Sequence, residues 1–190
     1  MRARNKLVAG VGISDAEYSP IKTKCPFYVV WQSMLVRCYS QRMLTRNPTY
    51  AGCSVTPEWH RFTTFRLWMG QQNWVGKQLD KDLRIPGNRE YGPQTCLFVS
   101  HQINGLLSTQ PKQRGDLPIG VTRCGDKYKT TLKKERKTYH IGVYPTISGA
   151  AAAYILAKAN WIEELAGLET CPVTCLILYS AVDAYRKSIP

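Results

Sequence analysis

Residues 118–161, PIGVTRCGDKYKTTLKKERKTYHIGVYPTISGAAAAYILAKANW, read as three short strands followed by a helix. From Lys127 to Lys133 the residues alternate, so that Lys127, Lys129, Thr131 and Lys133 share one strand face and Tyr128, Thr130 and Leu132 share the other. A row of cations beside a hydroxyl, on a pleated surface, can lie against phosphates while the opposite face packs on a helix. The helix is supplied next. Ala150, Ala153, Tyr154, Ala157 and Trp161 fall at helical spacing after Thr146 or Ser148, either of which can serve as N-cap. The small residues among them let such a helix sit close to a sheet. The expected fold class is α+β, with a three-stranded antiparallel sheet packed on one helix.

Charge reinforces the pattern. Between Lys112 and Lys137 nine Lys or Arg side chains stand against Asp116, Asp126 and Glu135, the footprint of a polyanion reader. The net charge is +13 over 190 residues and is unevenly spread. Residues 1–50 carry eight basic and two acidic side chains, whereas residues 148–190 carry three basic and four acidic. An exposed basic arm such as MRARNK can follow a phosphate backbone, and equally can be a solubilising tail. The same composition would also suit exposed strands that carry solvated lysines.

No apolar run approaches the ~20 residues that span a bilayer, and the MRARNKLVAGVG start has too short an apolar stretch for a secretory signal. No membrane association and residence in the host cytoplasm are expected. Seven cysteines (25, 38, 53, 96, 124, 171 and 175) are an odd number in unrelated contexts, so reduced thiols are expected rather than a disulfide framework. Cys171 and Cys175 form the one close pair, and no further cysteine or histidine pair follows it, so no structural zinc is expected. Cys175 instead reads as packed on the inner face of a short helix after Pro172, with Leu176, Tyr179 and Val182 near that face.

In the first half, Trp31, Met34, Leu35 and Cys38 share a helical face, with Arg37 off it. After Asn47-Pro48 a short extended piece leads to a second helix with Pro57 at its first turn and Phe62, Phe65, Leu67, Trp68 and Met69 as apolar surface. His60 there reads as a surface or packing residue. Residues 78–107 then offer a short strand, a Pro-Gly-Asn turn, a second strand ending in Cys-Leu-Phe-Val, and a helix capped by Ser100. Asp80, Asp82 and Asn104 carry oxygen ligands, and His101 lies one helical turn before Asn104. That set is sufficient for a hard divalent cation, and equally compatible with a solvated hairpin.

Two family resemblances attach to these residues. The run G-V-x-R near Gly120, K-Y-K at Lys127 to Lys129, and YHIGVYPT leading into AAAAY resembles the integrase-type DNA-binding domain of plant ethylene-response (Apetala-two) factors and of many phage proteins. It covers about residues 117–166. The resemblance implies that the sheet enters the major groove of DNA, with Arg123, Lys127, Lys129, Lys133, Arg136 and Lys137 as contact residues. His140 stands where an aromatic is usual, and Ser148-Gly149 replace the acidic pair that opens the family's helix. Both departures are expected to lie off the binding face.

CPFYVVWQSMLVRCYS, NPTYAGCSV, EWHRFTTFRLWM, LDKDL, GNREYGPQTCLFVS and IN, in that order, resemble phage HNH endonucleases that carry such a DNA-binding domain. The resemblance implies phosphodiester hydrolysis with Mg²⁺ or Mn²⁺, held by Asp80 and Asn104. Lys81 falls where the family has its general-base histidine, and Thr95 or Cys96 falls at its central asparagine. Asp82 and His101 are the groups available to replace that base.

The expected organisation is a basic arm (1–24), an HNH-like hairpin and helix region (25–107), a linker (108–117), a DNA-binding domain (118–166) and a C-terminal helix (167–190). Two functional classes follow: a DNA endonuclease, with the homing type among its forms, and a DNA-binding regulator with a degenerate nuclease core. An RNA reader is less well served, because the sheet lacks an exposed aromatic pair for stacking single strands.

Overall fold

In the computed structural model, which describes residues 7–17, 19–22, 24–107, 116–135 and 137–190, the chain forms two units, Met1–His101 and Gln102–Pro190. The architecture is α+β. The first unit contains α1 (Pro26–Tyr39), α2 (Gln41–Arg46), β1 (Ser54–Val55), α3 (Phe62–Gly70), β2 (Lys77–Asp80), β3 (Glu90–Tyr91) and β4 (Leu97–Ser100). Helix α4 (His101–Leu107) follows β4 directly, and all of it beyond His101 belongs to the second unit. The second unit continues with β5 (Val121–Cys124), β6 (Lys127–Lys134), β7 (Lys137–Tyr144), α5 (Ile147–Leu168) and α6 (Pro172–Lys187). Among the described residues no helix is long and apolar enough to cross a membrane.

The core of the first unit is aromatic. Trp31, Met34, Leu35 and Cys38 form the buried stripe of α1, and Phe62, Phe65 and Met69 of α3 are buried in the same cluster. Burying each such large side chain contributes about 1.5–3 kcal/mol. The indole of Trp31 is satisfied by donating from Nε1 to the Trp59 carbonyl at 2.7 Å. Two expectations for this region change. Pro57 opens a separate 3-10 turn, Pro57–His60, rather than α3, and Leu67 is 73% exposed. The arm is also shorter than its charge suggests: Val8, Ala9, Val11 and Ala16 pack on the core. Asp15 ties this stretch down by accepting from the Thr63 amide (2.9 Å) and hydroxyl (2.8 Å) and from Arg61 (3.2 Å). The basic residues of MRARNK lie outside the described residues, as does most of the expected linker.

In the hairpin region β2 pairs antiparallel with β4, with Asp80 opposite Leu97 and Lys77 opposite Ser100. The intervening β3 pairs in parallel with β1. Ser100 is the last residue of β4 and immediately precedes α4, the position expected of its cap.

In the second unit the sheet order is β5-β6-β7, antiparallel throughout. Helix α5 starts at its Thr146 cap, whose Oγ1 accepts from the Gly149 amide at 3.1 Å, and lies across the three strands. Two of its faces are used. Ala150 and Trp161 are buried as the spacing predicts, and Ala159, Ile162 and Ala166 are buried as well. Helix α6 packs against α5 with Thr174, Leu178 and Val182 inward, a stripe at four-residue spacing. The expected inner face of this helix is therefore corrected: Leu176 (69%) and Tyr179 (45%) point to solvent. Cys175 is half-buried, and its Sγ donates to the Glu169 carbonyl at 3.1 Å.

Candidate functional site

Which cations share a face is decided by strand register. Residues directly opposite one another in an antiparallel pair project to the same side. Thr122 faces Lys129 and Cys124 faces Lys127 across β5 and β6, while Val121 faces Thr130 and Arg123 faces Tyr128. On the other flank Thr131 faces His140, Lys133 faces Thr138 and Lys129 faces Val143. Thr130 and Leu132 are buried, and the Thr130 hydroxyl donates to the Ala150 carbonyl of α5 at 2.9 Å, which marks their side as the helix side. The outer side therefore carries Thr122, Cys124, Lys127, Lys129, Thr131, Lys133, Thr138, His140 and Val143.

The register shift between Thr130 and Thr131 shapes this face. Thr130 is opposite Gly142 and Thr131 is opposite His140, so Ile141 is one residue in excess. His140 and Val143 are three apart and would project to opposite sides of a regular strand. The bulge brings both outward. His140 is thus exposed in the middle of the cationic face, beside Thr131, and not off it as expected.

Of the six cations predicted for this surface, Lys127, Lys129 and Lys133 lie together on the outer face and are exposed. None of the three has an ion-pair partner among the described residues. Arg123 and Lys137 are corrected to the other side. Arg123 is opposite Tyr128, with Cζ 5.9 Å from that ring, and Lys137 is opposite Lys134. Lys134 itself is committed to α5: its Nζ lies 2.6 Å from the Glu164 carboxylate and 5.4 Å from the Trp161 ring centroid. Arg136 lies outside the described residues.

The hairpin candidates are held by local bonds. Asp80, at the end of β2, accepts through Oδ1 from the amides of Asp82 (2.9 Å) and Leu83 (2.8 Å), closing the turn. Burial pushes its carboxyl above the ordinary 3.8, the turn amides pull it down, and the Asp82 carboxylate adds to the rise. Lys81 is almost buried and donates to Asp82 Oδ2 at 3.0 Å and to the Asn88 carbonyl at 3.2 Å. Asn88 completes the loop by donating to the Lys81 and Glu90 carbonyls, both at 2.7 Å. Lys81 thus acts as a charged donor, and to accept a proton it would first have to lose one, which would turn its ion pair with Asp82 into a neutral hydrogen bond.

No family model matches the chain, and no curated protein or solved structure does.

His101 is exposed at the start of α4, and Asn104 is half-buried within it. Asp80 belongs to the first unit and Asn104 to the second. Thr95 and Cys96 serve the β3–β4 turn: Thr95 Oγ1 donates to the Glu90 carbonyl at 2.8 Å, and burial raises the Cys96 thiol to about 12. Among the described residues no three of His, Cys, Asp and Glu gather closely enough to hold a metal ion. His60 is a packing residue, with Nε2 3.1 Å from the Val55 carbonyl. Thr122, Cys124, Thr138, His140 and Val143 are the outer-face groups that the strand alternation of β6 does not reveal. Alternation within β7 gave the signal, but the bulge breaks its phase.

Proposed function

We propose that the chain binds double-stranded DNA through the outer face of β5-β6-β7. The observation that carries this reading is a division of labour within one sheet. Lys127, Lys129 and Lys133 stand exposed without acidic partners on one side, while Lys134 is neutralised by Glu164 on the other. At ~3.4 Å per residue, Lys127 and Lys133 are about 20 Å apart along β6. A major groove is only ~12 Å wide, so the outer lysines suit the flanking phosphates while Thr131 and His140, between Lys129 and Lys133, suit the groove. Among the described residues His140 is the one aromatic group on this face. Duplex recognition is therefore favoured over stacking of single strands.

The test is a salt-resolved binding titration with duplex DNA. Replacing Lys127, Lys129 and Lys133 with Glu should abolish binding, and the wild-type salt slope should include about −0.9 for each of the three phosphate contacts. Equal binding by the triple variant would refute the interface. Competition with structured RNA checks the nucleic-acid class.

A second reading, metal-dependent phosphodiester hydrolysis, is favoured by one observation, the desolvated Asp80 carboxyl next to the Asp82 carboxylate. Two adjacent carboxylates form a donor set that suits a hard divalent cation. Asp80 and Asp82 would hold the ion, whose bound state supplies Lewis-acid polarisation of a phosphate. Lys81 already supplies one positive charge to this pair and holds the turn. Incubation of plasmid with Mg²⁺ or Mn²⁺ should give nicks that vanish with EDTA and with Asp80→Ala. Intact plasmid across the metal series would leave a binding protein with a degenerate nuclease core.

A further inference from the structure

A cavity of about 440 Å³ in the first unit lies beside a cation that no acid among the described residues neutralises. Its wall is formed by Gln32, Ser33, Val36 and Arg37 of α1, Met43 of α2, Asn47 and Tyr50. Arg37 is half-buried and makes no ion pair among the described residues. Its Cζ lies 5.9 Å from the Tyr50 ring centroid and 5.5 Å from that of Tyr91. The two aromatic rings, at about 0.5–1 kcal/mol each, and a side-chain hydrogen bond to Tyr91 offset only part of the hydration that the guanidinium gives up. The Nε–H is buried without an acceptor, so the charge is not balanced from behind.

The other groups on the wall select the ligand's sign. Gln32 and Asn47 offer amides and Ser33 a hydroxyl, and among the described residues no acidic side chain lines the cavity. Asn47 directs Nδ2 at the Met43 sulfur at 3.0 Å, and a thioether is a weak acceptor that a stronger one can displace. A planar cation with neutral donors lining the same cavity matches a tetrahedral oxyanion better than a cation. The volume is in the range of small-molecule sites, about 300–1,000 Å³.

We propose that this cavity is a phosphate-binding site, with Arg37 as the charged fork and Asn47 as a rim donor. It shares no residue with the sheet face and does not rest on the DNA reading. The phosphate can belong to a free nucleotide or to a DNA backbone.

The direct probe is inorganic phosphate titrated into the full chain at constant ionic strength, with the backbone amide resonances of Ser33 and Met43, which line the cavity and are kept in every variant, followed by NMR. A saturable shift is expected, weakened about fivefold by Asn47→Ala, the loss of one hydrogen bond, and about tenfold or more by Arg37→Lys, which keeps the charge and loses the fork. Asn47 is exposed, so its variant tests the site without disturbing the core. The shift should persist in the Lys127/Lys129/Lys133→Glu variant. A resonance that does not move, a response indifferent to Asn47→Ala and Arg37→Lys, or one abolished by the sheet variant would overturn the site. Tighter saturation by a deoxynucleoside monophosphate than by duplex DNA assigns the phosphate to a nucleotide, and the reverse order assigns it to the backbone.

Discussion

Asp80 and Asp15 are carboxylates of the same unit with opposite pH signatures. Burial raises both, but at Asp15 the Thr63 amide and hydroxyl, with Arg61, outweigh it and hold the carboxyl below 3.8. At Asp80 burial prevails, with Asp82 adding to it. The unfolded chain binds more protons than the native state at Asp15, so its stabilisation is present above 3.8 and is lost as pH falls through the folded value. Asp80 runs the other way. The native state keeps a proton that the unfolded chain has released, so stability falls as pH rises just above 3.8. Asp80→Asn preserves an Oδ1 acceptor for the Asp82 and Leu83 amides and should flatten that fall. Asp15→Asn should instead remove the acid-side loss. Thermal melting of both variants across pH checks the signs, and a parallel profile for Asp80→Asn and wild type would contradict the assignment.

At the level of elements, β6 is where sequence and structure agree most closely, because the side a residue faces within one strand is a local property with period two. The positions of Lys127, Lys129 and Lys133 were legible for that reason, as was the burial of Thr130 and Leu132. Arg123 and Lys137 were not, because their side depends on pairing: the Gly125-Asp126 turn sets Arg123 against Tyr128, and the second turn sets Lys137 against Lys134. His140 was hidden by the bulge at Ile141, which no residue pattern announces. In α6 the four-residue stripe of Thr174, Leu178 and Val182 was obscured by a polar member, so the larger Leu176 and Tyr179 were read as inward. The register gives a direct contrast. Lys129→Ala should lower duplex affinity and reduce the salt slope by about 1, whereas Lys137→Ala should do less on both counts. Equal losses would place Lys137 on the binding face after all. The sheet's attachment to α5 has its own test at Gly120, which has φ +80° and where a Cβ would collide with the Tyr154 ring. Gly120→Ala should cost about 2–3 kcal/mol, read by denaturant unfolding, from the left-handed backbone and the clash together.

Over the whole molecule, a net charge of +13 would attract any polyanion, so affinity for DNA by itself does not distinguish a binding face from a diffuse positive field. Geometry separates the two. Converting Lys127, Lys129 and Lys133 to Glu lowers the net charge to +7, and so does converting Lys22, Arg84 and Lys187, all exposed and without an ion-pair partner among the described residues. A diffuse field depends on total charge and on a Debye length of about 8 Å at physiological salt, so it would weaken similarly in both variants. Phosphate contacts release counterions only where cations and phosphates meet, so a face would lose its salt slope in the first variant alone. The expected result is loss of binding in the sheet variant and near wild-type slope in the charge-matched one, measured on one duplex across a salt series. Equal weakening of both would reduce the sheet to one contributor among many and remove the argument built on its register.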